Sequence, residues 1–73
     1  MVYYYRMEEF KERVIKERTE LNEKRARLNE FIKSADGKYD DLPKFERIRL
    51  SQQLSAMNVY LDILDLRIKN NFE

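Results

Sequence analysis

Cysteine and histidine are both absent from this chain of 73 residues. Their absence removes thiol nucleophiles, disulfide frameworks, the usual zinc-ligand sets and the commonest general base. No metal, no cofactor and no catalytic triad is therefore expected, and the chain reads as a non-enzyme. Long hydrophobic runs are missing too, apart from the short stretch Met1 to Tyr5, so neither a transmembrane span nor a signal-peptide core is expected. Nor is there an excess of one charge. Charged residues make up 40% of the chain, yet 15 Lys and Arg against 14 Asp and Glu leave a net charge of +1. No bulk field draws such a chain to duplex DNA or to an anionic membrane, and neither is expected as a partner. Any nucleotide binding has to be local. A cysteine-free chain is compatible with a reducing compartment, and a cytoplasmic location is the expectation.

The single glycine and the single proline, Gly37 and Pro43, stand close together and divide the chain into two long helical patterns. This is the punctuation of one helical-hairpin domain over residues 1–73. A first helix is predicted over about 6–35, ended by Asp36-Gly37, where glycine takes the left-handed conformation without a Cβ penalty. After a loop over 36–42, a second helix is predicted over about 43–71. Pro43 suits a first helical turn, and Asp40 or Asp41 can cap free backbone donors there. Helices of this length, each about 40 Å at 1.5 Å per residue, joined by so short a loop, pack antiparallel.

The second helix has two apolar stripes. Leu50, Leu54, Met57, Leu61, Leu64 and Ile68 run at spacings of four and three, while Ile48, Val59, Ile63 and Leu66 fall about 180° away at 100° per residue. The first helix offers a partner stripe at Met7, Phe10, Val14, Leu21, Leu28, Ile32 and Ala35. One partner helix can cover only one face of the second, so the other requires a further copy or a target. The predicted fold is accordingly all-α, an antiparallel two-helix hairpin assembling into an oligomeric helical bundle, with Ile48, Val59, Ile63 and Leu66 as the oligomer interface. Such assembly substitutes for the disulfides and metals that stabilise many small folds.

Charge pairs at i,i+4 support a solvated helix surface: Glu9 with Arg13, Glu12 with Lys16, Glu20 with Lys24, Glu23 with Arg27 and Asp65 with Lys69. Arg18 and Arg25 differ, because they project within about 40° of the centre of the first apolar stripe. Either their stems lie across the seam while the guanidinium groups reach its edge, towards Glu46 or Gln53, or they line a polar break able to hold phosphate or carboxylate. Tyr3, Tyr4 and Tyr5 beside Arg6 form the other candidate ligand-binding group, since tyrosine rings next to a cation suit a nucleobase and its phosphate. The alternative is that Tyr3 extends the stripe and its neighbours cover the second helix. Tyr39 and Tyr60 read as packing residues, and Lys44, Arg47 and Arg49 as a small positive patch of low specificity.

From Phe10 to Phe72 the layout resembles the small hairpin proteins of tailed and crAss-like phages. The resemblance rests on ERVIKERTELNEKRARLNEFI, the LP before the second helix, and the final series Gln53, Met57, Tyr60, Ile63, Leu64, Arg67 and Ile68. That group is in turn similar, in length and order of elements, to the phage anti-CBASS sponges. The resemblance implies a helical oligomer that sequesters a nucleotide immune second messenger, a cyclic oligonucleotide or a cyclic ADP-ribose, in pockets of tyrosine and basic side chains between protomers. A phage-encoded anti-defence sponge acting in the host cytoplasm is the leading expectation. The alternatives are a helical inhibitor that docks on a host defence protein, as an anti-CRISPR does, and a purely structural oligomerisation hairpin.

Overall fold

A computed structural model describes the backbone of residues 2–72 and the side chains of residues 9–70. The chain forms α1, Val2–Lys33, and α2, Lys44–Phe72, which pack against each other as a hairpin. Helix α1 begins ahead of the expected Arg6 and stops at Lys33, so that Ala35 is exposed in the turn rather than in the apolar stripe. Its end is built by local chemistry. The Ser34 amide donates to the Phe31 carbonyl at 3.3 Å, a tightened last turn, and the Lys38 amide donates to Asp36 Oδ1 at 3.0 Å. Gly37, four residues past the helix end, takes φ 77°, a left-handed conformation that bends the connection rather than capping α1 as expected.

The start of α2 departs from expectation in one respect. The Pro43 carbonyl accepts from the Arg47 amide at 3.1 Å, which puts proline at the N-cap, just outside the helix. Asp40 and Asp41 are exposed and do not cap the helix; Glu46 supplies the acidic side chain of the first turn. Asp41 donates its amide to the Gly37 carbonyl at 3.0 Å and Leu42 donates its own to Tyr39 at 3.1 Å, so the backbone of the connection folds on itself.

Contacts along the hairpin fix its antiparallel register. Near the turn, the Phe31 and Tyr39 rings meet edge to face with centroids 6.2 Å apart, and the Tyr39 hydroxyl donates to the Arg47 carbonyl at 2.9 Å. Far from the turn, Arg18 pairs with Asp65, and the Arg67 guanidinium lies 5.4 Å from the centre of the Phe10 ring. The stripe of α2 that faces α1 is the one through Leu50 and Leu64. Leu64 is 0% exposed, and with Val14 and Leu61 it forms the buried core, in the half remote from the turn. Leu21, Leu28, Ile32, Leu50, Leu54, Met57 and Ile68 are half-buried. Two helices cannot do better, because each shields only one side of the other.

The result is a rod, 56 Å long and 17 by 16 Å across, with a radius of gyration of 16.6 Å. A compact globule of this length would have about 11 Å. Most side chains on such a rod face water, and what the exposed ones are decides what the molecule can do.

Candidate functional site

Of the expected ligand-binding residues, Tyr3, Tyr4, Tyr5 and Arg6 have side chains outside the described residues. Arg18 and Arg25 lie on α1, half-buried, two turns apart, and each has a protein partner. The Arg18 guanidinium reaches across to Asp65 on α2. That hydrogen bond, and then the charge of the same carboxylate, push Arg18 above its ordinary pKa, so it is a fixed cation. Its partner is neither Glu46 nor Gln53, because both stand much nearer the turn than Arg18 does. Arg25 donates to Asn22 Oδ1 at 3.2 Å within its own helix. Asp65, expected to pair with Lys69, is used by Arg18 instead. Glu9 and Arg13 do pair on the surface, at 3.7 Å.

The structure brings together a different group. Where the turn enters α2, Tyr39, Lys44, Arg47, Ile48, Ser51 and Gln52 line an open groove of about 430 Å³. Helical spacing explains it: Lys44, Arg47, Ile48 and Ser51 are three and four residues apart and share a side of the first two turns. Tyr39 folds back over them, held by its bond to the Arg47 carbonyl and by the Phe31 ring. Arg47 Nε is buried there without a hydrogen-bond acceptor. A donor this buried is closed to a ligand as it stands, so what Arg47 brings to the groove is its positive charge. The groove therefore joins an aromatic ring, two cations, a hydroxyl and an amide, a set suited to a base and a phosphate. In the sequence Lys44, Arg47 and Arg49 read only as a weak patch. Arg49 does not line the groove but donates to Gln52 Oε1, on its wall, at 2.9 Å, and it was the fold-back of Tyr39 that no spacing rule could supply.

The second apolar face of α2 is open. Ile48 is 41% exposed, Val59 59%, Ile63 49% and Leu66 56%, and Phe45, one turn before Ile48 on the same face, is 78% exposed. Phe45 was not among the residues expected on this face, although its three-residue spacing from Ile48 is a usable signal. The face is apolar at both ends, with Gln52, Ser55 and Ala56 between them, and exposed apolar area of this extent on a small rod suits an interaction surface. Ile48 belongs both to this face and to the groove, so the two features are contiguous.

Among the described residues no helix is long and apolar enough to cross a membrane, and no cluster of carboxylates is arranged to hold a metal ion. No curated protein and no solved structure matches the chain. A sequence profile for the family called Sequestin does match, over residues 8–70, which takes in nearly all of both helices and the whole connection. With a match over that share of its length, the chain belongs to the Sequestin family.

Proposed function

We propose that this protein is a binding protein without catalytic activity that sequesters a small anionic signalling molecule, in the manner the name of its family suggests. The observation that carries the reading is family membership over residues 8–70, on a chain that has an open groove lined by Tyr39, Lys44 and Arg47. Sequestration needs affinity and stoichiometry and no reacting group, which suits a chain lacking histidine and cysteine. The ligand class is a nucleotide second messenger, a cyclic oligonucleotide or cyclic ADP-ribose, with a base stacked on tyrosine and a phosphate on arginine and lysine. The Tyr3 to Arg6 segment, Arg18 and Arg25 are further candidates for ligand contact. The protein acts as a homo-oligomer through Ile48, Val59, Ile63 and Leu66, and its setting is a phage-encoded defence against host immunity in the host cytoplasm.

Native mass spectrometry of the protein alone, then with a panel of cyclic di- and trinucleotides and cyclic ADP-ribose isomers, tests this. A multimer that takes up one panel member in fixed stoichiometry, unchanged on recovery, is the expected result. Lys44→Ala with Arg47→Ala should weaken that uptake at least tenfold while leaving helicity intact. A folded protein that takes up no member of the panel would overturn the nucleotide reading and turn attention to a host protein docked on the open face of α2. Recovery of a converted ligand would overturn the assignment as a non-enzyme.

A further inference from the structure

The open face of α2 has an internal symmetry. Counted outward from the peptide between Ser55 and Ala56, Val59 stands opposite Gln52, Ile63 opposite Ile48, and Leu66 opposite Phe45, each pair equidistant from the centre. At 100° per residue all of these positions fall on one side of the helix, away from α1. Phe45, Ile48, Val59, Ile63 and Leu66 are each more than two-fifths exposed, whereas the Leu61 and Leu64 side is buried. A face whose apolar positions lie symmetrically about its centre, Gln52 excepted, suits a two-fold interface, since there residue i of one copy meets j of the other and j meets i.

We propose that the occupant of this face is a second copy of the chain, its α2 running antiparallel and crossing at Ser55 and Ala56. The proposal rests on the oligomeric part of the reading above and fixes its geometry. Three observations choose a second copy over any other partner. The face has two of the three pairs of positions about its centre apolar at both ends, a symmetry an unrelated target gives no reason for. Its centre carries two of the smallest side chains on α2, where helices that cross closely need them. Finally, the hairpin alone buries only Val14, Leu61 and Leu64 among the described residues, a core that leaves a fold of this size marginal and that a second copy would enlarge.

Pairing in this register sets Ile48 level with Ile63 of the second copy and Phe45 level with its Leu66, over about 32 Å of helix. The polar exception is Gln52, level with Val59. Its Oε1 already accepts from Arg49, so its methylenes are free to lie across valine. Because Ile48 also lines the groove, the second copy would wall the groove on its Ile48 side. Two identical sites follow, at opposite ends of the α2 pair, each beside the C-terminal half of the other copy's α2.

Cysteine mapping tests the geometry without any ligand, in a chain that has no cysteine of its own. At an interaxial distance of about 8.5 Å, the Cα atoms of residue 55 in the two copies come to about 5–6 Å, inside the disulfide range. Those of residue 48 stand about 22 Å apart along the axes, outside it. Ser55→Cys, oxidised at low micromolar concentration, should convert mostly to covalent dimer. Ile48→Cys should stay uncrosslinked alone and crosslink when mixed with Ile63→Cys. Crosslinking of Ile48→Cys to itself would show parallel pairing and overturn the proposal. So would a wild-type protein that sediments at monomer mass, or a multimer in which Ser55→Cys stays unlinked while its helicity is intact. A covalent Ser55→Cys dimer that takes up no nucleotide would leave the pairing standing and refute the sequestration reading alone.

Discussion

Leu64→Ala is the substitution whose outcome the structure determines most sharply. Leu64 is 0% exposed at the seam, beside Val14 and Leu61, in a core of few side chains. Removing three carbons forfeits about 2.4 kcal/mol of transfer free energy at about 0.8 kcal/mol per buried group. The cavity adds to this, and the total for a leucine that neighbours cannot replace is about 3–5 kcal/mol. A core of this size supplies about 3–5 kcal/mol in all, so the variant should be largely unfolded at low concentration. Leu66→Ala is the control: it removes the same atoms two residues along, on the opposite side of the helix, from a side chain 56% exposed in the hairpin. Urea unfolding followed by circular dichroism, across a hundredfold range of protein concentration, separates the two. Leu64→Ala should lose stability at every concentration. Leu66→Ala should match the wild type when dilute and fall behind it only when concentrated, because stabilisation by a partner copy follows mass action. Equal losses for the two variants in dilute solution would refute the assignment of inner and outer faces.

Gly37→Ala meets open space at the new Cβ and a φ of 77° that alanine resists, so the loss should be backbone strain alone, about 1–2 kcal/mol; Gly37→Asn should lose less, and thermal melts of both check this. Tyr39→Phe removes the hydroxyl that donates to the Arg47 carbonyl at 2.9 Å, at a cost of about 0.5–1.5 kcal/mol, and should loosen the groove more than the helices, read as faster amide exchange around Arg47. Asp65→Asn should lower the melting temperature in dilute buffer and hardly at all in about 1 M salt, where an exposed pair is screened. The pH dependence of that pair has a definite sign on the arginine side. Arg18 has its pKa raised in the fold, so its contribution is complete below the unfolded value, across the whole neutral range, and is lost only as pH rises through the folded one. A melting temperature that changes between neutral pH and mildly alkaline pH in the wild type, and not in Arg18→Met, would contradict this.

Much of the fold was legible because its signals are local. Gly37 turns the connection since only glycine takes φ 77° without penalty, although α1 has already stopped at Lys33, and Pro43 precedes α2 because it lacks the amide a helix interior uses. The two stripes of α2 follow from a 3.6-residue period and needed no partner to be seen. Equally, the near-neutral balance of charge and the missing histidine and cysteine narrowed the chemistry without reference to any fold.

Tertiary structure decided what depends on which residues meet. Periodicity offered two faces of α2 and already set Ile48, Val59, Ile63 and Leu66 on the outer one, where they are exposed; only packing against α1 decided that full burial is confined to Val14, Leu61 and Leu64, in the half remote from the turn. Pattern placed Arg18 and Arg25 on the seam, but hairpin register gave Arg18 its partner: a residue far from the turn on α1 faces one far from the turn on α2, hence Asp65. The groove depends most on the fold. Tyr39 belongs to the connection, Lys44 and Arg47 to the first turn of α2, and their convergence follows from how the chain bends between them. Local sequence determines where helices begin, end and turn apolar, since those are energies of a residue and its near neighbours. The path of the chain in three dimensions determines which side chains share a surface, since those contacts are formed only when distant segments pack.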